Sequence, residues 1–153
     1  MQSRTKVVQP EVLMEEYCRL LQDESVDALP LVVTGNSMYP FLRHGRDTVY
    51  LSRFCAPACR GDILLYRRQN GQYVMHRVHK VMECGYGMLG DAQWIVEKEI
   101  GPEQVIAVVR RVLRKNKMIS QGDFCWEFFR IWWRRFLPAR RVLLALWRRI
   151  GGE

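Results

Sequence analysis

The sequence predicts a mainly β protein: an antiparallel sheet with a short N-terminal helix before it and amphipathic helices after it. Three observations lead there. Between residues 30 and 114 no stretch has the apolar spacing of a long helix, while runs rich in Val, Ile, Leu and Tyr recur with turn residues between them. Asn70-Gly71, inside "RRQNGQ", is a strong hairpin signal, because both residues tolerate positive φ and so join the flanking runs antiparallel. From Phe124 the period changes, with Trp126, Phe129, Trp133 and Phe136 falling at i, i+3, i+7 and i+10 as on a helix.

The elements follow in order. Pro10 suits the first turn of a helix running to about Gln22, with Leu13, Tyr17, Leu20 and Leu21 on one face. "ALPLVVTG" (28–35) reads as a short strand entering a turn. "DTVYLSRF" (47–54), "GDILLYRR" (61–68) and "QYVMHRVHKVME" (72–83) are the next strands, and "YGMLGD" (86–91) and "QVIAVVRRVL" (104–113) supply two more. Within "FCWEFFRIWWRRFLPARRVLLALWRRI", Pro138 breaks or restarts the helix. These readings divide the chain into an N-terminal helical segment (1–27), a β domain (28–115) and a basic, aromatic-rich tail (120–150).

At 153 residues with 48% hydrophobic content, one folded domain with appendages is expected, not a disordered chain. The net charge of +8 is unevenly placed. Residues 1–109 hold 12 Lys/Arg against 13 Asp/Glu, and residues 110–153 hold 12 against 3, so the basic character belongs to the C-terminal third. Arginines beside tryptophans on an amphipathic helix suit a membrane surface or a protein partner; the plainer alternative is that the aromatic stripe packs on the sheet. Nucleic acid is disfavoured, because no recognition motif accompanies the basic tail. Five cysteines (Cys18, Cys55, Cys59, Cys84, Cys125) show no framework or metal-ligand spacing and read as free thiols. The N-terminus lacks an apolar core of signal-peptide length, and "VLLALW" is only six residues. A cytoplasmic chain, or one peripheral at a membrane, is therefore expected.

Chemistry centres on "TGNSMYPFLRHG" (34–45). A small polar turn delivers Ser37, followed by Met38 and Pro40, and a serine hydroxyl needs a neighbouring base to become a nucleophile. His44, His76 and His79 are the candidates. Strand alternation places Val74, His76, Val78 and Lys80 on one face and Met75, Arg77, His79 and Val81 on the other. By residue type alone, His76 between two valines is either a structural histidine or a base.

"GNSMYPFLRHG", "RGDILLYRR", "VMHRVHKV" and "LGDAQ", in that order, resemble the signal peptidase I family, in the superfamily shared with LexA-type peptidases. The resemblance spans roughly residues 28–112. It matches Ser37, Met38 and Pro40 to the Ser-Met-x-Pro box, Gly61-Asp62-Ile63 to the strand that follows, and His76-Arg77-Val78 to the base-bearing strand of the Ser/His type. Gly90-Asp91 matches the last box. The resemblance implies a compact antiparallel β peptidase domain of signal peptidase/LexA type. It also implies a serine endopeptidase that removes a signal or leader peptide, with Ser37 as nucleophile, His76 as base and Asp91 as the associated carboxylate. Pro40 would fix the turn, Met38 and Pro40 would border the substrate, and Asp62 would be a structural turn residue. Substrate would bind extended at a sheet edge, and neither metal nor other cofactor is required. Two departures stand out: the N-terminal transmembrane anchor typical of the family is not seen, and Arg46 separates Gly45 from Asp47 where the family often has Gly-Asp. The competing expectations are a non-catalytic peptide-binding module and a LexA-like self-cleaving regulator.

Overall fold

In the computed structural model of the chain, residues 10–55 and 57–150 are described. Residues 1–9 of the expected N-terminal segment lie outside them. Helix α1 (Pro10–Leu20) opens on proline, carries Glu11 in its first turn and Arg19 in its last, and so suits the helix dipole at both ends. It ends two residues earlier than expected. Met14 is buried within it and Leu21 just past its end, and the Arg53 side chain donates to the Leu21 and Gln22 carbonyls of the turn that follows.

Eight strands follow: β1 (Leu29–Val32), β2 (Asp47–Arg53), β3 (Ile63–Arg67), β4 (Tyr73–Met82), β5 (Gly85–Leu89), β6 (Glu97–Ile100), β7 (Val105–Arg114) and β8 (Lys117–Ser120). All pair antiparallel in the order β1-β2-β7-β3-β4-β5-β6, with β8 on β7. The hairpin at Asn70-Gly71 forms as expected, with Gly71 at φ 88°, and sets Leu64 opposite His76 and Tyr66 opposite Val74. Strands β6 and β8 escape a pattern search, because "EKEI" and "KMIS" are short and mostly polar.

The two faces of the sheet bury different clusters. Val49, Leu51, Ile63, Leu65, Ala107, Val109 and Val112 face one core, shared with Met38, Phe41 and Leu42 from the β1–β2 loop. Leu64, Tyr66, Val78, Tyr86, Met88, Ile100 and Val108 form the second, smaller core on the other face. His76 stands on that second face with Val74 and Val78, as alternation predicts. Beyond Val78 a bulge at His79 ends the strict alternation.

The tail begins with α2 (Phe124–Glu127) and continues through a wide helical turn, Phe128–Trp132, and a tight one, Trp133–Ala139. The helix restarts after Pro138 as α3 (Arg140–Ile150). Trp126, Phe129 and Trp133 are buried, and Phe41 meets the first edge-on at 5.7 Å and the second tilted at 5.1 Å. Three of the four aromatics of the stripe therefore pack on the sheet and share its main core. Phe136, the last member, is 40% exposed. Among the described residues no helix is long and apolar enough to cross a membrane.

Candidate active site

The β1–β2 loop is built to present Ser37. Gly35, at φ 80°, turns the chain and donates its N–H to His44 Nδ1 at 3.0 Å, so exposed His44 is a brace for the loop. Beyond the serine, Leu42 N–H donates to the Met38 carbonyl at 2.8 Å, and Phe41 and Leu42 are fully buried. Burying two such side chains stabilises the loop by about 1.5–3 kcal/mol each. Guanidinium groups of Arg77 and Arg114 lie against the Phe41 ring, 5.1 and 5.6 Å from its centroid. Asp47 ends the loop, buried and gripped by Arg46 and Arg114. The arginine inserted before it is thus half of an ion pair.

Ser37 and His76 line one cavity of about 270 Å³, together with Val33, Thr34, Gly35, Met38, Arg68, Tyr73, Val74, Met75 and Gln93. The two residues come 39 positions apart in sequence and line the same cavity, one from the β1–β2 loop and the other from β4. A direct hydrogen bond between them is absent among the described residues. Met38 lines the cavity while being 98% buried, so it is a wall of the site. Pro40 is buried beneath the loop, outside the cavity lining, and the Tyr39–Pro40 peptide bond is cis.

The protonation of His76 follows from its partners. Tyr66 Oη lies 3.1 Å from His76 Nδ1 and donates its only hydrogen to Glu97 Oε2 at 2.8 Å. The phenol oxygen therefore accepts from Nδ1–H, and Nε2 keeps its lone pair. Arg68 holds Glu97 bidentately at 2.7 Å through each nitrogen, keeping that carboxyl below its ordinary range and fixing its direction. Burial lowers the His76 pKa from 6.5 to about 4; Glu97 opposes this, Arg68 adds to it, and Asp91 opposes it from farther away. The imidazole is neutral at neutral pH, with an unprotonated Nε2. Burial and the Glu97 carboxylate push the Tyr66 phenol well up, so it stays a donor.

Asp91 has a different attachment from the one expected. Both its oxygens accept from Arg77, at 2.9 and 2.8 Å, and the pair is almost wholly buried. The position at Nδ1 belongs to Tyr66. Arg77 also donates to the Gly61 carbonyl at 2.9 Å, which ties the Gly61-Asp62 turn to the Gly90-Asp91 loop. Asp62 itself accepts from Cys59 N–H at 2.9 Å, the structural turn role expected of it.

Gly90 and Ala92 position the serine through the backbone. A Cβ on Gly90 would lie 2.5 Å from the Ser37 carbonyl oxygen, and that oxygen accepts from Ala92 N–H at 2.8 Å. Only glycine permits this approach. The tail braces the same loop from behind: Trp133 Nε1 donates to the Asp91 carbonyl at 2.9 Å, and buried Arg140 donates to the carbonyls of Gly90 and Gln93 at 3.1 and 2.8 Å.

A wider groove of about 690 Å³ leads away from the cavity between β1 and the first half of β4, with α1 along one wall. It shares Val33, Thr34, Tyr73, Val74 and Met75 with the cavity. β1 is an edge strand, and β4 pairs with β5 only from Arg77 onward. Each strand therefore offers unpaired backbone groups along the groove.

Tyr66, Arg68 and Glu97 are absent from the sequence-based candidates. Tyr66 had a usable signal, because the Asn70-Gly71 hairpin places it on the same face as His76 and diagonal to it. Glu97 had none, since it arrives on an unrecognised strand. No protein-family model matches the chain, and no curated protein matches it.

Proposed function

We propose that the protein is a serine endopeptidase of the signal peptidase I-like Ser/His type, which cleaves a signal or leader peptide through an acyl-enzyme. The observation that supports it most is one cavity lined both by Ser37 and by a neutral histidine whose Nε2 is unprotonated.

In this reading Nε2 of His76 takes the Ser37 Oγ proton as Oγ attacks a peptide carbonyl. The tetrahedral oxyanion is met by backbone N–H groups of the loop, that of Ser37 among them, each worth a rate factor on the order of 100 to 1,000. The imidazolium returns the proton to the leaving amine, and water then hydrolyses the ester by the same path in reverse. Tyr66 and Glu97 hold the imidazole and stabilise its charged form. Asp91, held by Arg77 and by Trp133, fixes the loop whose next residue, Ala92, bonds the Ser37 carbonyl. Substrate lies extended between β1 and β4, using their unpaired backbone groups for affinity and Met38 as a wall.

The groove would serve a non-catalytic peptide-binding module equally well, and one experiment separates the two. A mixed peptide library that includes Ala-x-Ala sites is incubated with the full chain, with and without anionic lipid, and products are read by mass spectrometry. Cleavage by wild type that disappears in both Ser37→Ala and His76→Ala supports the peptidase. Retention of peptides without cleavage, unchanged by Ser37→Ala, would replace it with the binding module.

A further inference from the structure

We infer that α3, together with the Trp94–Ile95 loop, is a docking surface for an anionic lipid bilayer. Arg140 and Leu144, four residues apart, turn inward and are buried. On the outward side Val142, Leu146 and Ile150 recur every four residues and are 64%, 47% and 86% exposed. Half-exposed Trp147 stands beside this stripe. Arg141, Arg148 and Arg149 flank it, and none of them has a carboxylate partner among the described residues. Such a face leaves a large apolar strip in water with unpaired cations along its border.

The surface continues past the helix. The Arg141 guanidinium stacks over the Trp94 ring at 4.5 Å, and Trp94 and Ile95 are themselves 47% and 76% exposed. Trp132, also half-exposed, carries the Arg135 guanidinium 5.4 Å from its ring centroid.

Charge complementarity selects the occupant. Arginines beside exposed aliphatics and tryptophans match the boundary between acyl chains and anionic headgroups, where cation and apolar stripe are satisfied together. Single-stranded nucleic acid would use the arginines and tryptophans and leave the Val142–Leu146–Ile150 stripe in water. At 11 residues, α3 is about 16 Å long and lies in the interface plane. Gln93, next to Trp94, lines the Ser37–His76 cavity, so docking would place that cavity beside the bilayer. The docking itself does not depend on the peptidase reading.

The test is flotation of the full chain with vesicles of phosphatidylcholine alone or with added phosphatidylglycerol, alongside its tryptophan emission. Binding is expected only with phosphatidylglycerol, with a blue-shifted emission and a fall as salt rises. Arg148→Glu/Arg149→Glu should weaken it by roughly tenfold or more, as loss of surface cations predicts. Leu146→Glu/Ile150→Glu should weaken it comparably; all four positions are exposed, so the folded circular dichroism spectrum should persist in both variants. Equal binding to both vesicles, no binding to either, or binding unmoved by both folded variants would overturn the inference. So would a dimer that either variant dissolves, because the occupant would then be a second copy. Ser37→Ala should bind vesicles like wild type, which separates this outcome from that of the peptidase reading.

Discussion

Which ring nitrogen of His76 holds the proton decides whether it can be a base, and one phenol makes the choice. Tyr66→Phe removes the acceptor at Nδ1 without changing the shape of the pocket, so the imidazole loses its tautomer preference and the charged form loses a stabilising partner. The expected result is a fall in kcat on the order of 10- to 100-fold, part of the roughly 100- to 10,000-fold that general base catalysis provides. KM should hardly change, and the melting temperature should fall modestly, because the buried Nδ1–H loses its acceptor at a cost of about 1–3 kcal/mol. The pH dependence follows from the same residue. His76 titrates near 4 in the folded chain and near 6.5 when unfolded. Below pH 6.5 the unfolded chain takes up a proton that the folded chain refuses, so this group lowers stability as pH falls from about 6.5 to about 4 and adds no slope above. The acid limb of kcat/KM should therefore lie near pH 4, well below that of an exposed histidine. Asp91→Ala tests the neighbouring assignment. It leaves Arg77 buried without its carboxylate, and breaking a buried pair in this way costs about 3–5 kcal/mol. A marked loss of thermal stability is expected; a variant as stable as wild type but catalytically dead would instead make Asp91 part of the reaction.

At the scale of elements, local signals were readable and long-range ones were not. The hairpin at Asn70-Gly71 could be read because its chemistry is local, and with it came the face of β4 that carries His76. The aromatic period after Phe124 was also legible. Whether Trp126, Phe129 and Trp133 pack on the sheet or meet a partner was not, since periodicity states that a face is apolar and not what covers it. Asp91 illustrates the same limit. Motif order brings it near the base-bearing strand, yet Arg77 is one residue from His76 on the opposite face, and only the fold reveals which neighbour the carboxylate takes. The tail braces the loop behind the candidate site through Trp133 and Arg140. Trp133→Ala should cost about 3–5 kcal/mol through the cavity it leaves, measurable as a shift in the denaturation midpoint. It should also slow cleavage, because the Asp91 carbonyl loses the indole donor that steadies the loop behind Ser37.

The whole molecule works as a chain of supports ending at a serine. The sheet sets the faces of β3 and β4, the tail braces the Gly90–Gln93 loop, and that loop holds the Ser37 backbone through Ala92 and the bare Cα of Gly90. One core runs through all of it, from Met14 of α1 to Leu144 of α3. The inner side of the tail is structural and its outer side remains open for a surface, which is why a basic, aromatic segment can serve two purposes. The proposed reaction converges on Ser37 Oγ as the atom that bonds to substrate. The most direct measurement is an acid quench during turnover of a cleaved peptide, followed by proteolytic mapping and mass spectrometry. The account predicts an acyl adduct on the Ser37 peptide, carrying the mass of the N-terminal product, and none in Ser37→Ala. Cleavage that proceeds with the adduct on another residue, or that persists in Ser37→Ala, would contradict it.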